Sequence, residues 1–169
     1  PVRPSGIVGV ADRTSFGPGL TVFHDCKTNE QILRQVPNLR PGDRAPFGVS
    51  LESYGFDGTF LSLVIDLPED AAQGLRLRHL IRLEAQIDVE RPLNCFVRLN
   101  VKHGPNTAQL MREVPLNQDQ VVVEFDLAYS KMNEKRVEKA WLDLIFKDPQ
   151  MNRIRLRDLT LTRRPRAEI

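Results

Sequence analysis

Hydrophobic and polar side chains alternate with a period of two along much of the chain, and this pattern predicts β-strands. In Leu80–Glu90, apolar residues occupy the odd-numbered positions from 81 to 89, and charged or amide residues occupy the even-numbered positions from 82. A strand places these two sets on opposite faces, whereas a helix would spread both around its surface. Cys95–Lys102, Val121–Ala128 and Ala140–Lys147 repeat the alternation. All four segments are therefore predicted strands with one buried face.

Other strands are predicted from shorter signals. Phe60–Leu67 is a nearly continuous apolar run, which is typical of a central strand covered on both faces. Leu20–His24, Phe47–Ser53 and Leu110–Val114 are further predicted strands, and His103–Asn106 has the composition of a turn.

The last predicted strand, Arg153–Arg163, changes the parity of its apolar positions. Ile154 and Leu156 are even-numbered, but the two leucines that follow are odd-numbered. One extra residue in a strand shifts the side chains that follow it to the other face. We therefore expect a β-bulge near Arg157–Asp158, which would return both pairs to the core.

About nine short strands separated by turns predict an all-β fold, a single-domain antiparallel β-sandwich of the jelly-roll kind. One or two short helical turns are expected, with Ser130–Lys139 and Gln31–Val36 as the candidate segments. Residues 20–169 would form the sandwich. Residues 1–19 hold four glycines and three prolines and are predicted to be an extended N-terminal segment.

The length of 169 residues fits one domain, and no apolar run approaches the length of a membrane-spanning helix. Cys26 and Cys95 are too few for a disulfide framework, so we expect free thiols and a cytoplasmic location. The chain begins at Pro1 with no recognisable signal peptide, and we expect it to be a fragment or a processed product.

Several familiar chemistries have no matching sequence motif. The chain lacks a glycine-rich phosphate loop, a GxSxG elbow, an HExxH motif and a CxxC motif. Its three histidines, His24, His79 and His103, are far apart in sequence and do not suggest a metal site. Cys95 has the parity of the core residues of its strand, which favours a buried structural thiol over a nucleophile.

Polar residues on the outer parity of two predicted strands form a candidate ligand-binding site: Arg98, Asn100 and Lys102 on one strand, and Trp141 and Asp143 on the other. Planar guanidinium, amide and carboxylate groups bond adjacent hydroxyls, and an indole stacks on the apolar face of a sugar ring. In this hypothesis Arg98 and Asp143 bond hydroxyls, Asn100 and Lys102 orient them, and Trp141 stacks. The chain would be a non-catalytic module that binds a carbohydrate or glycoconjugate and requires no cofactor.

Two alternatives use the same surface. Arg98 could simply form a cross-strand ion pair with Asp143 or Glu124 on a solvated face. Alternatively, Glu124, Asp126 and Asp143 could lie close enough to act as the carboxylate pair of a glycoside hydrolase or lyase. Both ligand binding and hydrolysis require that the polar rows share one sheet.

A third alternative is a protein-interaction domain that uses segment 130–139 and the basic C-terminal tail. The chain has a net charge of +2, but its last 17 residues contain six arginines and only two carboxylates. Such a tail can meet an acidic partner, nucleic acid or an anionic membrane surface, or its arginines can line the wet face of a strand. We expect no nucleic-acid partner, because no platform of alternating aromatic and basic residues is present.

Three stretches resemble an uncharacterised family of alphaproteobacterial proteins: RLNVKHGPN at Arg98–Asn106, DLAYSKMNEKRVEKAWLDLIF at Asp126–Phe146 and LRDLTLTRRPRAE at Leu156–Glu168. The resemblance covers residues 20–169. It implies a bacterial protein whose full-length relatives carry residues before Pro1, and it transfers no catalytic residue.

The order of the strands also resembles that of the carbohydrate-binding-module and galactose-binding-like jelly rolls, with LTVFHD as the opening strand and LRDLTL as the closing strand. Sandwiches of this type often hold a structural calcium between the first and last strands. The resemblance implies Asp25 and Asp158 as its carboxylate ligands. Alternatively, Asp158 bonds the local backbone of the bulge.

Overall fold

The computed structural model describes residues 60–116, 120–148 and 152–167 in full, Ser50 and Leu51 with their side chains, and five earlier strands by their backbone. The elements in chain order are β1 (Ile7–Val8), β2 (Arg13–Ser15), β3 (Leu20–His24), β4 (Gln31–Pro37), β5 (Phe47–Ser53), β6 (Phe60–Asp66), helix α1 (Glu69–Ala72), β7 (His79–Val89), β8 (Asn94–His103), β9 (Asn106–Val114), β10 (Val121–Asp126), a 3-10 turn (Leu127–Tyr129), β11 (Val137–Lys147) and β12 (Asn152–Pro165).

Two six-stranded antiparallel sheets make up the fold. The first sheet has the strand order β1-β4-β5-β12-β7-β10, and the second has the order β2-β3-β6-β11-β8-β9. The predicted antiparallel β-sandwich is therefore confirmed. Two short strands inside the segment 1–19 pair with the sheets, β1 with β4 and β2 with β3. No helix among the described residues has the length and apolar character needed to cross a membrane.

The core lies between the sheets and is built from the alternating positions identified above. Each inward apolar side chain removed from water stabilises the fold by up to about 1.5–3 kcal/mol, as an upper bound. The inward residues of the three longest alternating strands are all less than one-tenth exposed: Ile81, Leu83, Ala85 and Ile87 on β7, Cys95, Val97, Leu99 and Val101 on β8, and Ala140, Leu142, Leu144 and Phe146 on β11.

A bulge interrupts the pairing of β12 with β7, as the parity change predicts. Leu156 lies opposite Ile87, and the next paired residue, Asp158, lies opposite Gln86. Arg157 is the extra residue, and its buried guanidinium pairs with Asp88. Beyond the bulge Leu159 and Leu161 pack against the core.

The helical candidates are wrong in position. Gln31–Val36 belongs to β4, which pairs with β5 along its whole length. Segment 130–139 contains turns and the beginning of β11, and the 3-10 turn directly precedes it. The short helix α1 lies instead between β6 and β7. The turn predicted at His103–Asn106 links β8 to β9, and Gly104 has the positive φ of 58° that favours glycine.

Candidate functional site

Pairing between β8 and β11 brings the predicted binding residues onto one outer face of the second sheet. Arg98 lies opposite Asp143, and Asn100 lies opposite Trp141. Lys102 follows on the same face, opposite Lys139. The two polar rows therefore share a sheet, as the ligand-binding hypothesis requires.

Arg98, Asn100 and Asp143 form one hydrogen-bonded cluster. Arg98 donates from Nε to Asp143 Oδ2 over 2.8 Å, and its Nη2 lies 2.7 Å from the same oxygen. Asn100 Nδ2 donates to that oxygen over 3.0 Å. Asp143 Oδ2 thus accepts two hydrogen bonds and forms a close ion pair with Arg98 Nη2. The Asp143 side chain is only 5% exposed, against 33% for Arg98.

Asn100 is also enclosed by protein groups. Its residue exposure is 1%, and its Oδ1 accepts a 3.1 Å hydrogen bond from Gln109 Nε2 on β9. Asn100 and Asp143 are thus placed to orient the Arg98 guanidinium, while Arg98 itself faces solvent. The direct contact of Asp143 with hydroxyls stays a prediction.

Trp141 and Lys102 lie at the other end of this face. Trp141 is half-buried, and Lys139 Nζ lies 5.4 Å from the centre of its ring. Lys102 Nζ lies 3.3 Å from Glu138 Oε2, and the two side chains are 41% and 52% exposed. Both residues are therefore accessible next to the Arg98 cluster.

A groove of about 550 Å³ adjoins Arg98 on this face. It is lined by Phe60 and Ser62 from β6, Arg98 from β8, Met111 from β9, and Ile145, Lys147 and Asp148 at the end of β11. Sequence reasoning did not assign most of these residues to a site. Ile145 and Lys147 share the parity of Asp143, so the alternation along β11 is the sequence signal that could identify them. The lining residues from β6 and β9 depend on a strand order that the sequence does not show.

Glu124 and Asp126 do not share the face of Asp143. They lie on β10 in the first sheet, where Glu124 pairs with Arg164 over 3.3 Å and Asp126 pairs with Arg166 over 2.7 Å. Asp143 lies on the second sheet. The three carboxylates therefore do not form the cluster that the hydrolase alternative expects.

The C-terminal arginines have partners within the sandwich. Besides the two pairs with β10, Arg163 Nη1 donates to the carbonyl of Gln73, just after α1. Segment 130–139 also packs on the protein, since the backbone N–H of Asn133 donates to His103 Nδ1 over 3.2 Å. An interaction role for the tail and this segment stays a prediction.

The expected calcium site is only partly within the described residues. Asp158 is half-buried beside the bulge of β12, whereas Asp25 lies outside the described residues. Among the residues that the structure describes, no three acidic, histidine or cysteine side chains are grouped to hold a metal ion. Calcium binding by Asp25 and Asp158 stays a prediction.

The surroundings of the two other titratable candidates, Cys95 and His79, indicate structural roles. Burial raises the pKa of the Cys95 thiol from 9.0 to about 12, so the thiol is neutral at physiological pH. Partial burial, with the nearby Arg163 and Arg78, lowers the pKa of His79, whose Nδ1 accepts from the backbone N–H of Arg76 over 2.9 Å. Cys26 and the His24 side chain lie outside the described residues.

Solved structures of similar fold include carbohydrate-binding modules. The family 11 carbohydrate-binding module of the Clostridium thermocellum cellulase Lic26A-Cel5E superposes with a TM-score of 0.53 at 10% identity, covering 95% of this chain and 96% of that one. The CBM22-1 xylan-binding domain of Paenibacillus barcinonensis Xyn10C gives 0.51 at 9% identity, covering 99% and 100%. These likenesses show the β-sandwich fold of such modules.

A phage protein shares the fold as well. The enzymatically active domain of tailspike protein 4 of bacteriophage CBA120 superposes with a TM-score of 0.61 at 5% identity over 87% of this chain. The chain spans 20% of the length of that protein. No curated protein matches the chain in amino-acid sequence. The model of one family matches all residues from 1 to 169, and the chain therefore belongs to DUF6478, a family of unknown function.

Proposed function

We propose that the chain is a non-catalytic module that binds a carbohydrate or glycoconjugate through the outer face of β8 and β11. One observation carries the proposal: an arginine one-third exposed, held in place by a buried carboxylate and amide, shares this face with the half-buried Trp141. Among proteins of this fold, a family 11 module was solved with a mixed-linked tetrasaccharide, and another is a xylan-binding domain.

The chemistry of this face suits hydroxyl groups. Asp143 engages Nε and Nη2 of Arg98, and the remaining N–H groups of this guanidinium can donate to sugar oxygens. Lys102 adds further donors at the other end of the face. The indole of Trp141 offers an apolar ring for the face of a pyranose. Asn100 and Asp143 would act beneath the ligand by orienting Arg98.

The direct test is binding of soluble polysaccharides, with xylan and mixed-linkage β-glucan as the first two probes, by affinity electrophoresis and calorimetry. Trp141 is the only tryptophan of the chain, so its fluorescence reports on this face alone. We expect an emission change on binding, and a rise in melting temperature of a few degrees at a ligand concentration about 100 times Kd.

Arg98→Lys keeps a positive charge beside Asp143 but loses the planar guanidinium. We expect it to weaken glycan binding about tenfold, which corresponds to the loss of one hydrogen bond from a charged group. Arg164→Lys is the matched control, because Arg164 pairs with Glu124 on the other sheet. Equal affinity of both variants, or no binding to any polysaccharide, would contradict the proposal and favour a protein partner.

A further inference from the structure

The groove beside Arg98 runs across the strands. Its lining residues come from β6, β11, β8 and β9, which are consecutive neighbours in the second sheet. Three strand spacings separate the first of these strands from the last, or about 14 Å. A chain-like ligand lying in this groove would therefore cross four strands rather than follow one.

Exposed apolar side chains stand at both ends of the groove. Phe60 on β6 is 36% exposed and Met111 on β9 is 50% exposed, and Ile145 lies between them on β11. Single exposed apolar residues are ordinary on a protein surface. Here they line one depression together with hydrogen-bond donors. That combination matches a sugar chain, whose rings have apolar faces and polar edges.

The charges of the groove balance. Arg98 and Lys147 line it together with Asp148, and Asp143 lies beneath Arg98 with its oxygen 2.7 Å from Nη2. Lys147 Nζ also lies 5.2 Å from the centre of the Phe96 ring. Two cations therefore face two carboxylates. An anionic ligand would meet Asp148 and would compete with Asp143 for Arg98, whereas an uncharged ligand needs only the remaining N–H donors.

We infer that the groove binds an uncharged oligosaccharide that lies across the strands, with one ring packed on Phe60 and another near Met111. Arg98 joins this groove to the face that carries Trp141. The inference rests on the proposed carbohydrate binding and adds the class of sugar and the direction of the chain.

Calorimetry with oligosaccharides of increasing length tests the inference. The probes are mixed-linkage β-glucan oligosaccharides, which are uncharged, and oligogalacturonates of the same lengths, each at low and high salt. We expect affinity for the uncharged series to rise with length, to level off once the chain spans the groove, and to change little with salt. Tighter, salt-sensitive binding of oligogalacturonates would overturn the choice of an uncharged ligand.

Phe60→Ala and Met111→Ala test the placement. Each is expected to weaken binding about fivefold, because each removes apolar contact area at one end of the groove. Val122→Ala is the matched control, since Val122 is 41% exposed on the first sheet. If Arg98→Lys weakens binding but neither groove variant does, the groove is not the site and the proposed function still stands. If no uncharged or acidic glycan binds, both proposals fail.

Discussion

At the scale of single residues, two ion pairs of the same chemistry lie in different surroundings. Arg98 pairs with Asp143, whose side chain is 5% exposed, and Arg164 pairs with Glu124, whose side chain is 40% exposed. Removing one partner of a buried pair leaves the other charge or its neighbours unsatisfied, whereas an exposed pair is replaced by water at little cost.

We therefore expect Asp143→Ala to lower the free energy of unfolding by roughly 2–3 kcal/mol, because it leaves Arg98 and Asn100 without their common acceptor. Glu124→Ala should lower it by less than about 1 kcal/mol. Urea denaturation of both variants measures the difference. Equal losses would show that the burial of Asp143 contributes nothing to the strength of its pair.

The buried thiol of Cys95 predicts a pH dependence of stability. Burial raises its pKa to about 12, so the folded state keeps the proton while the unfolded chain loses it above pH 9. The stability of the fold is unaffected below the unfolded pKa and falls as pH rises towards 12, by up to about 1.4 kcal/mol per pH unit.

Comparison of the wild type with Cys95→Ala isolates this effect, because all other titrating groups, Cys26 included, are common to both proteins. Between pH 9 and pH 11 the wild type should lose stability more steeply than the variant in chemical denaturation. Parallel pH profiles would mean that the thiol ionises in the folded protein as readily as in the unfolded chain.

Parity along the strands predicts that Arg98 and Asp143 lie on the outer faces of their strands, but it leaves open whether those strands are neighbours in one sheet. It was not sufficient to show that Asn100 is enclosed, because its cover includes Gln109 from β9, and the register between β8 and β9 is not readable from either strand alone. Whether a side chain on a strand is accessible to a ligand depends on the neighbouring strands, which only the fold brings together.

At the scale of elements, the bulge in β12 keeps two halves of one strand in register with the core. Deletion of Arg157 should remove the bulge and keep Leu159 and Leu161 inward, because Leu156 and Asp158 would then follow each other just as their partners Ile87 and Gln86 do. Arg157→Ala keeps the bulge and loses the contact with Asp88. We expect the deletion variant to fold and to lose about as much stability as Arg157→Ala, because both lose the pair with Asp88. Insertion of one alanine after Asp158 should instead turn both leucines outwards and cost far more stability, as measured by circular dichroism and urea denaturation.

An equal loss in the deletion and insertion variants would mean that the parity of the strand does not decide which residues of β12 reach the core. A folded insertion variant whose leucine methyl resonances remain protected would contradict the parity argument directly.

The strands with strict alternation were predictable because the buried face leaves a repeated signal. Gln31–Val36 lacks that signal, and its local sequence allows a helix, yet its backbone pairs with β5 and forms a strand. Helix α1 spans four residues, too few for a helical period to appear, and it depends on contacts with β11. Short elements follow tertiary contacts more than local pattern.

At the scale of the whole molecule, the assignment of strands to sheets decides which residues can act together. The strand with Glu124 and Asp126 and the strand with Asp143 have similar patterns, but they belong to different sheets. The same assignment places β10 within reach of Arg164 and Arg166, so part of the basic tail is neutralised by acidic residues forty positions away. From the composition alone, these arginines would be counted as an unpaired basic patch.

These pairings predict how the molecule meets polyanions. The double variant Glu124→Gln with Asp126→Asn releases Arg164 and Arg166 from their partners, and should elute from heparin at distinctly higher salt than the wild type. Glu69→Gln with Asp70→Asn is the matched control, because it removes two exposed carboxylates from α1 and changes the net charge equally. If both variants shift equally, net charge alone governs retention. If the wild type already elutes at high salt, its paired arginines are available to polyanions, and the tail is then a candidate interaction surface.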